Sequence, residues 1–169
     1  MTDRLLTGAA LRYLDLSGNH LCGKLQLPGG VWDGEHTTVA MAALADALPH
    51  SAVTSLTLRH NELEDAGCVA LAAALRADAP LAALDLQLNS VGDAGAIALL
   101  ESLAANTSAR SLDLRENALG TMAVKDAQLG LARRRAEAGL RRIAVELPAK
   151  HAAKLRRWEQ PSEASSCVK

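Results

Sequence analysis

Two aspartates, Asp85 and Asp113, hold the same place in two near-identical stretches, Leu84-Asp85-Leu86-Gln87 and Leu112-Asp113-Leu114-Arg115. Paired carboxylates are what general acid–base chemistry uses when a closed site pushes their pKa values apart. The leucines alternating around them belong to short, half-buried strands. Such strands would put both carboxylates on an open sheet face, with no cleft to raise either pKa. Two readings stay open: a polar recognition surface, or a solvated face on which Arg59 and Arg115 answer the carboxylates. Other catalytic signatures are missing, since no P-loop, G-x-S-x-G, H-E-x-x-H or Rossmann glycine run occurs. The expectation is a chain that is not an enzyme and needs no cofactor.

Cys22, Cys68 and Cys167 lie far apart without a C-x-x-C pair. An odd, sparse count suggests free thiols in a reducing compartment, which points to a cytoplasmic protein. His20, His36 and His60 can be imagined beside Cys22 as metal ligands, but zinc sites show tighter paired spacing, so no metal is expected. Cys167 stands one place too late for a prenylation box. Met1 to Ala10 is too short a stretch for a secretory signal.

Charge is strongly uneven. Residues 1–124 carry 7 basic and 14 acidic side chains, whereas residues 125–169 carry 11 basic and 5 acidic. The basic part contains Arg133, Arg134, Arg135, Arg141, Arg142, Lys150, Lys154, Arg156 and Arg157, with Trp158 beside them. A single aromatic and no nucleic-acid motif argue against nucleic acid. What remains is a charged helix answered by the acidic body, or a surface for an acidic protein.

Positioning these groups falls to a core of unusual composition. Of 169 residues, 34 are Ala and 30 Leu, against two Trp, one Tyr and no Phe. Such a core has few bulky fillers and must be built in thin, regular layers. No apolar run reaches the roughly 18 residues of a membrane span.

The regularity is visible as a repeat. Leu11-xx-Leu14-x-Leu16-xx-Asn19-x-Leu21 recurs as Val53-xx-Leu56-x-Leu58-xx-Asn61-x-Leu63 and as Leu81-xx-Leu84-x-Leu86-xx-Asn89-x-Val91. Ala109-xx-Leu112-x-Leu114-xx-Asn117-x-Leu119 is the fourth copy. The asparagines are 42, 28 and 28 residues apart, so the first gap is one period plus 14. Helical patterns follow the strands over Cys68–Leu75 and Ala96–Leu103, introduced by Asp65-Ala-Gly67 and Asp93-Ala-Gly95, where Asp can cap the helix that follows it. Met41, Leu44 and Leu48 form the inward stripe of the first helix. The Gly-rich insertion, residues 22–35, reads as a surface loop, with Trp32 either a local plug or an interaction anchor.

This pattern resembles the leucine-rich repeat family, and its 28-residue period the ribonuclease-inhibitor-like subtype. The resemblance implies an α/β fold, a short right-handed βα solenoid or horseshoe segment with four clear repeats. A degenerate fifth strand is expected at Leu140-Arg-Arg-Ile143-Ala-Val145-Glu-Leu147-Pro148, with Pro148 in the asparagine's place. It also implies a structural asparagine ladder at Asn61, Asn89 and Asn117. Residues 1–150 form the repeat domain and 151–169 a basic helix with a polar tail.

On the concave face, strand alternation then sets three rows: Tyr13, Ser55, Ala83, Ser111 and Arg142; Asp15, Thr57, Asp85, Asp113 and Ala144; and Ser17, Arg59, Gln87, Arg115 and Glu146. Asp85 and Asp113 should be neighbours about 4.8 Å apart. The resemblance implies a protein–protein interaction module, a scaffold or assembly component. Its partner-binding candidates are Tyr13, Asp15, Thr57, Arg59, Asp85, Gln87, Asp113 and Arg115 on the face, and Arg133, Arg134, Arg135, Arg141 and Arg142 at the basic end. The alternative it implies is an activator of a small GTPase, similar to the leucine-rich Ran activator.

Overall fold

The computed structural model describes residues 10–23, 25–26, 32–33, 37–120 and 123–148, without the side chains of 25–26, 32–33 and 123. Three-residue strands β1 (Tyr13–Asp15), β4 (Ser55–Thr57), β5 (Ala83–Asp85), β6 (Ser111–Asp113) and β7 (Ala144–Glu146) form one sheet in that order. All neighbouring pairs are parallel. Helices α1 (Val39–Ala47), α2 (Glu64–Arg76), α3 (Asp93–Ser102) and α4 (Ala123–Glu137) return the chain between them and pack in sequence as a second layer. This is the short leucine-rich-repeat solenoid the pattern implied.

The strands are short because only the LxL motif of each repeat can be half-buried. Its leucines face the helices, and the register sets Leu14, Leu56, Leu84, Leu112 and Val145 side by side in one column. Leu56, Leu84 and Leu112 are buried, while Leu14 at the sheet edge is half-covered. Leu11 stands 59% exposed, although Val53, Leu81 and Ala109 at the same repeat position are buried; β1 has a neighbour on one side only. Met41 and Leu48 are buried as the stripe required, with Leu44 half-buried.

The asparagines follow each strand in a tight turn. His60, Leu88 and Glu116 before them, and Glu62 and Ser90 after them, all have φ near +55°. A non-glycine residue accepts that conformation only where the surroundings hold it. The asparagines do the holding. Asn61 Oδ1 accepts the Asn19 and Leu21 amides, Asn89 Oδ1 those of Asn61 and Leu63, and Asn117 Oδ1 those of Asn89 and Val91. Each amide nitrogen donates back to the preceding repeat: Asn61 to Leu16 O, Asn89 to Leu58 O and Asn117 to Leu86 O, all at 2.8 Å. The ladder therefore stitches repeat to repeat, beyond closing single turns.

Three expectations need correction. Asp65 does not cap its own helix. Its Oδ1 accepts the Gly92 and Gly95 amides at 2.8 and 2.9 Å, the open N-terminus of the next helix, α3. Asp93 likewise accepts the Gly120 amide of the next repeat. Both aspartates already lie inside the first turn of their own helices, so their carboxylates reach the free N–H groups of the neighbour stacked alongside.

The last strand is displaced by two residues. Ala144 pairs with Ser111, Val145 with Leu112 and Glu146 with Asp113. Val145 and Leu147 thus take the inward places expected of Ile143 and Val145, Leu147 being the better-buried apolar residue. Pro148 does not take the asparagine's place, and Arg142 leaves the first row. A shift of two keeps the side-chain parity, so alternation alone could not detect it.

The insertion holds a small antiparallel pair, β2 (Leu25–Gln26) with β3 (Trp32–Asp33), rather than loop alone. The Trp32 side chain, His36, Cys167, and the basic helix and tail expected over 151–169 lie outside the described residues.

Candidate interaction surface

Among the described residues, one face of the five-stranded sheet carries no helix. Side chains alternating with the buried column stand on it in the rows Tyr13, Ser55, Ala83, Ser111, Ala144 and Asp15, Thr57, Asp85, Asp113, Glu146. Ser55, Thr57, Asp85, Ser111, Asp113 and Glu146 bound a shallow hollow of about 250 Å³ on this face. Asp85 and Asp113 are register partners, as expected, and Glu146 extends them into a row of three acids. Alternation alone puts Glu146 one row further on; the Leu112–Val145 pairing brings it here.

The carboxylates are answered. Asp85 receives Arg59 from the neighbouring strand, Nε at 2.7 Å and Nη2 at 2.6 Å. Asp113 receives Arg115 of its own repeat, Nη2 at 2.6 Å, and Gln87 Nε2 from the repeat before, also at 2.6 Å. The Asp85 and Asp113 side chains are 20% and 16% exposed, those of Arg59 and Arg115 48% and 50%. Ion pairs so close to water add little stability, about 0–1 kcal/mol each. Their effect is to hold two cationic forks against the carboxylates that line the hollow. Asp15 is held below its ordinary pKa by the Ser17 hydroxyl and amide, and Tyr13 is 57% exposed beside it.

Asp113, like Asp15, gives this face a pH dependence. Partial burial raises its pKa, but hydrogen bonds from Arg115 and Gln87 outweigh this and hold it below the ordinary 3.8. A depressed folded-state pKa stabilises the fold above the unfolded value and loses that contribution as pH falls through the folded one. Urea unfolding at pH 7 and pH 3 should therefore show a smaller acid loss for Asp113→Asn than for the parent chain. An equal loss in both would show that Asp113 makes no such contribution.

At the basic end, Arg133, Arg134, Arg141 and Arg142 are exposed, with Arg133 Nε 2.9 Å from Glu137 one helical turn away. Arg135, unlike these exposed neighbours, is turned inward. It is 1% exposed and donates to Leu103 O and Asn106 O at 2.6 Å and to Arg141 O at 2.8 Å. Leu103 is the C-cap of α3, where a cation suits the negative end of the helix dipole. One repeat earlier, Asn106 does the same with Leu75 O and Ala79 O near the end of α2. The run of three arginines gives no hint that one of them turns inward.

Cys22 and Cys68 are buried. Burial, with Glu64 and Glu62 near Cys22 and Asp65 near Cys68, pushes the thiols up to about 11 and about 12. They stay protonated at neutral pH and are poor nucleophiles or ligands. His20 and His60 do come together, ring centroids 5.8 Å apart, with His20 Nδ1 2.8 Å from Glu62. Among the described residues no three His, Cys, Asp or Glu side chains are grouped to hold a metal. No helix among them is long and apolar enough to cross a membrane.

A family model described as Leucine Rich repeat matches residues 52–72 and 79–100, and a second Leucine Rich Repeat model matches residues 10–30. Nothing among the curated proteins matches the chain. Leucine-rich repeat domains generally mediate protein–protein interaction.

Proposed function

We propose that this leucine-rich-repeat solenoid is a non-enzymatic interaction module, a scaffold or assembly component that engages a protein partner through the face of its sheet opposite the described helices. The 28-residue period favours the ribonuclease-inhibitor-like form of the repeat. Residues 1–150 make up the module, with 151–169 as a basic extension. The observation that carries the reading is the pair Arg59 and Arg115, half-exposed yet anchored by Asp85 and Asp113, which line the hollow. Anchored side chains lose little rotamer freedom when a partner docks, so more of the contact energy survives as affinity. Tyr13, Asp15, Thr57 and Gln87 complete the contact surface. Tyrosine and arginine are also the residue types that dominate interface energetics.

The test is affinity capture with the parent chain and with the triple variant Tyr13→Ala, Arg59→Ala, Arg115→Ala. All three side chains are at least 48% exposed, so the fold should survive their removal. Recovery of a specific partner should drop by on the order of tenfold or more, as for truncation of interface anchors. Undiminished recovery would reject this face. Loss instead with Arg133→Glu, Arg134→Glu, Arg141→Glu would move the contact to the basic end.

A further inference from the structure

Arg135 has five N–H donors, and its described bonds use those of Nε and Nη1 only. Nη2 is the one buried side-chain nitrogen or oxygen among the described residues without a hydrogen-bond partner. Among the described residues no carboxylate is bonded to this guanidinium, and burial together with Arg110 lowers its pKa. A buried cation with two idle donors is costly unless something answers it.

Arg135 lines a cleft of about 170 Å³ between α4 and β7. The exposed Arg142 lines it too, at the repeat position where Val53, Leu81 and Ala109 are buried. The remaining wall is mixed, with Leu129, Ile143 and Val145 apolar and Lys125 and Gln128 polar. Leu129 is 61% exposed, which is unusual for leucine in this chain.

We propose that this cleft is a receptor for a carboxylate presented next to an apolar side chain, an acidic-hydrophobic segment of a protein partner. The carboxylate accepts from Arg142 at the mouth and, once the wall opens to it, from Arg135 Nη2, which is closed to solvent in the unbound chain, and the apolar neighbour covers Leu129 and Ile143. Guanidinium forks match the flat carboxylate in two-point hydrogen bonding. The hydrocarbon part of the wall suits a singly charged group carried on a chain better than a hydrated phosphate. The site lies at one end of the sheet and stands apart from the open-face reading, so either can fail alone.

The probe is a fluorescein-labelled peptide of alternating glutamate and leucine, titrated into the full chain at about 0.1 M salt, where surface charges are partly screened. The glutamate peptide should bind saturably, and its glutamine counterpart at least about tenfold more weakly, as for loss of a charged hydrogen-bond partner. Arg142→Ala, an exposed change that leaves the fold intact, should weaken binding about tenfold. The Arg135 guanidinium resonances in a 15N spectrum should shift on binding, which a purely structural Arg135 would not show. Equal binding of both peptides, an unmoved Arg135 signal or full affinity in Arg142→Ala would overturn the proposal. So would competition by inorganic phosphate but not by unlabelled glutamate peptide, since that describes a phosphate site. Absence of any binding at millimolar peptide would overturn it as well.

Discussion

Replacing Asn89 with alanine is expected to remove about 4 kcal/mol of stability, from buried groups left unpaired at roughly 1–3 kcal/mol each. The side chain is fully buried and takes part in four hydrogen bonds. Without it the Asn61 and Leu63 amides lose their acceptor, and the Leu58 and Gln87 carbonyls lose a donor. Water cannot replace these partners without opening the turn, whose flanking Leu88 and Ser90 sit at positive φ. The loss also falls on the contact between two repeats, and in a stacked array each unit depends on its neighbours. Asn19→Ala is the matched control. Asn19 holds the same repeat position but is exposed, and its amide donates to Leu16 O and Ser17 O near water. That substitution should cost under about 1 kcal/mol. Chemical denaturation followed by circular dichroism measures both, and equal costs would mean that burial of the ladder is not what stabilises it.

Gly95→Ala should destabilise by about 3 kcal/mol, the upper range for overpacking a tight contact. The sign is the informative part, because alanine in a helix interior ordinarily gains about 0.5–1 kcal/mol over glycine. A Cβ on Gly95 would lie 2.7 Å from Asp65 Oδ1, 2.9 Å from Asp65 Cα and 3.1 Å from Cys68 Cβ. The second of these is backbone, so relief requires α2 and α3 to separate, and separation breaks the Asp65 cap. Gly130→Ala in α4 is the contrasting case. Its Cβ would meet only Arg134 Nη2, at an ordinary 3.6 Å, and the change should stabilise by about 0.5–1 kcal/mol. Thermal unfolding of the two variants should move in opposite directions. A stabilised Gly95→Ala would refute the close approach of the two helices.

Much of the fold could be read in advance because a repeat multiplies a weak local signal. One LxL pair predicts little, whereas four in phase define the strands, their parallel order and the column Leu56, Leu84, Leu112. The same phase made Asp85 and Asp113 neighbours, since register partners one period apart must stand side by side. The asparagines were legible for the same reason. The degenerate repeat was not: Ile143, Val145 and Leu147 satisfy alternation equally in two registers, and the choice rests on how Val145 and Leu147 fit against Leu112 and Leu114. Nor did Asn106 announce itself, being an isolated asparagine until its amide is found 3.1 Å from Leu75 O.

Taken alone, the order of residues decided everything that depends on periodicity: which side chains face the helices, which face water and which repeat at the turns. Tertiary structure decided what depends on the unpaired polar groups brought alongside by stacking. Asp65 serves the helix after its own because the free amides of Gly92 and Gly95 dock against it. Arg135 turns inward because the carbonyls of Leu103 and Asn106 await a donor there. Hydrophobic spacing is inscribed along the chain, but a hydrogen-bond partner from another repeat exists only once the two have met.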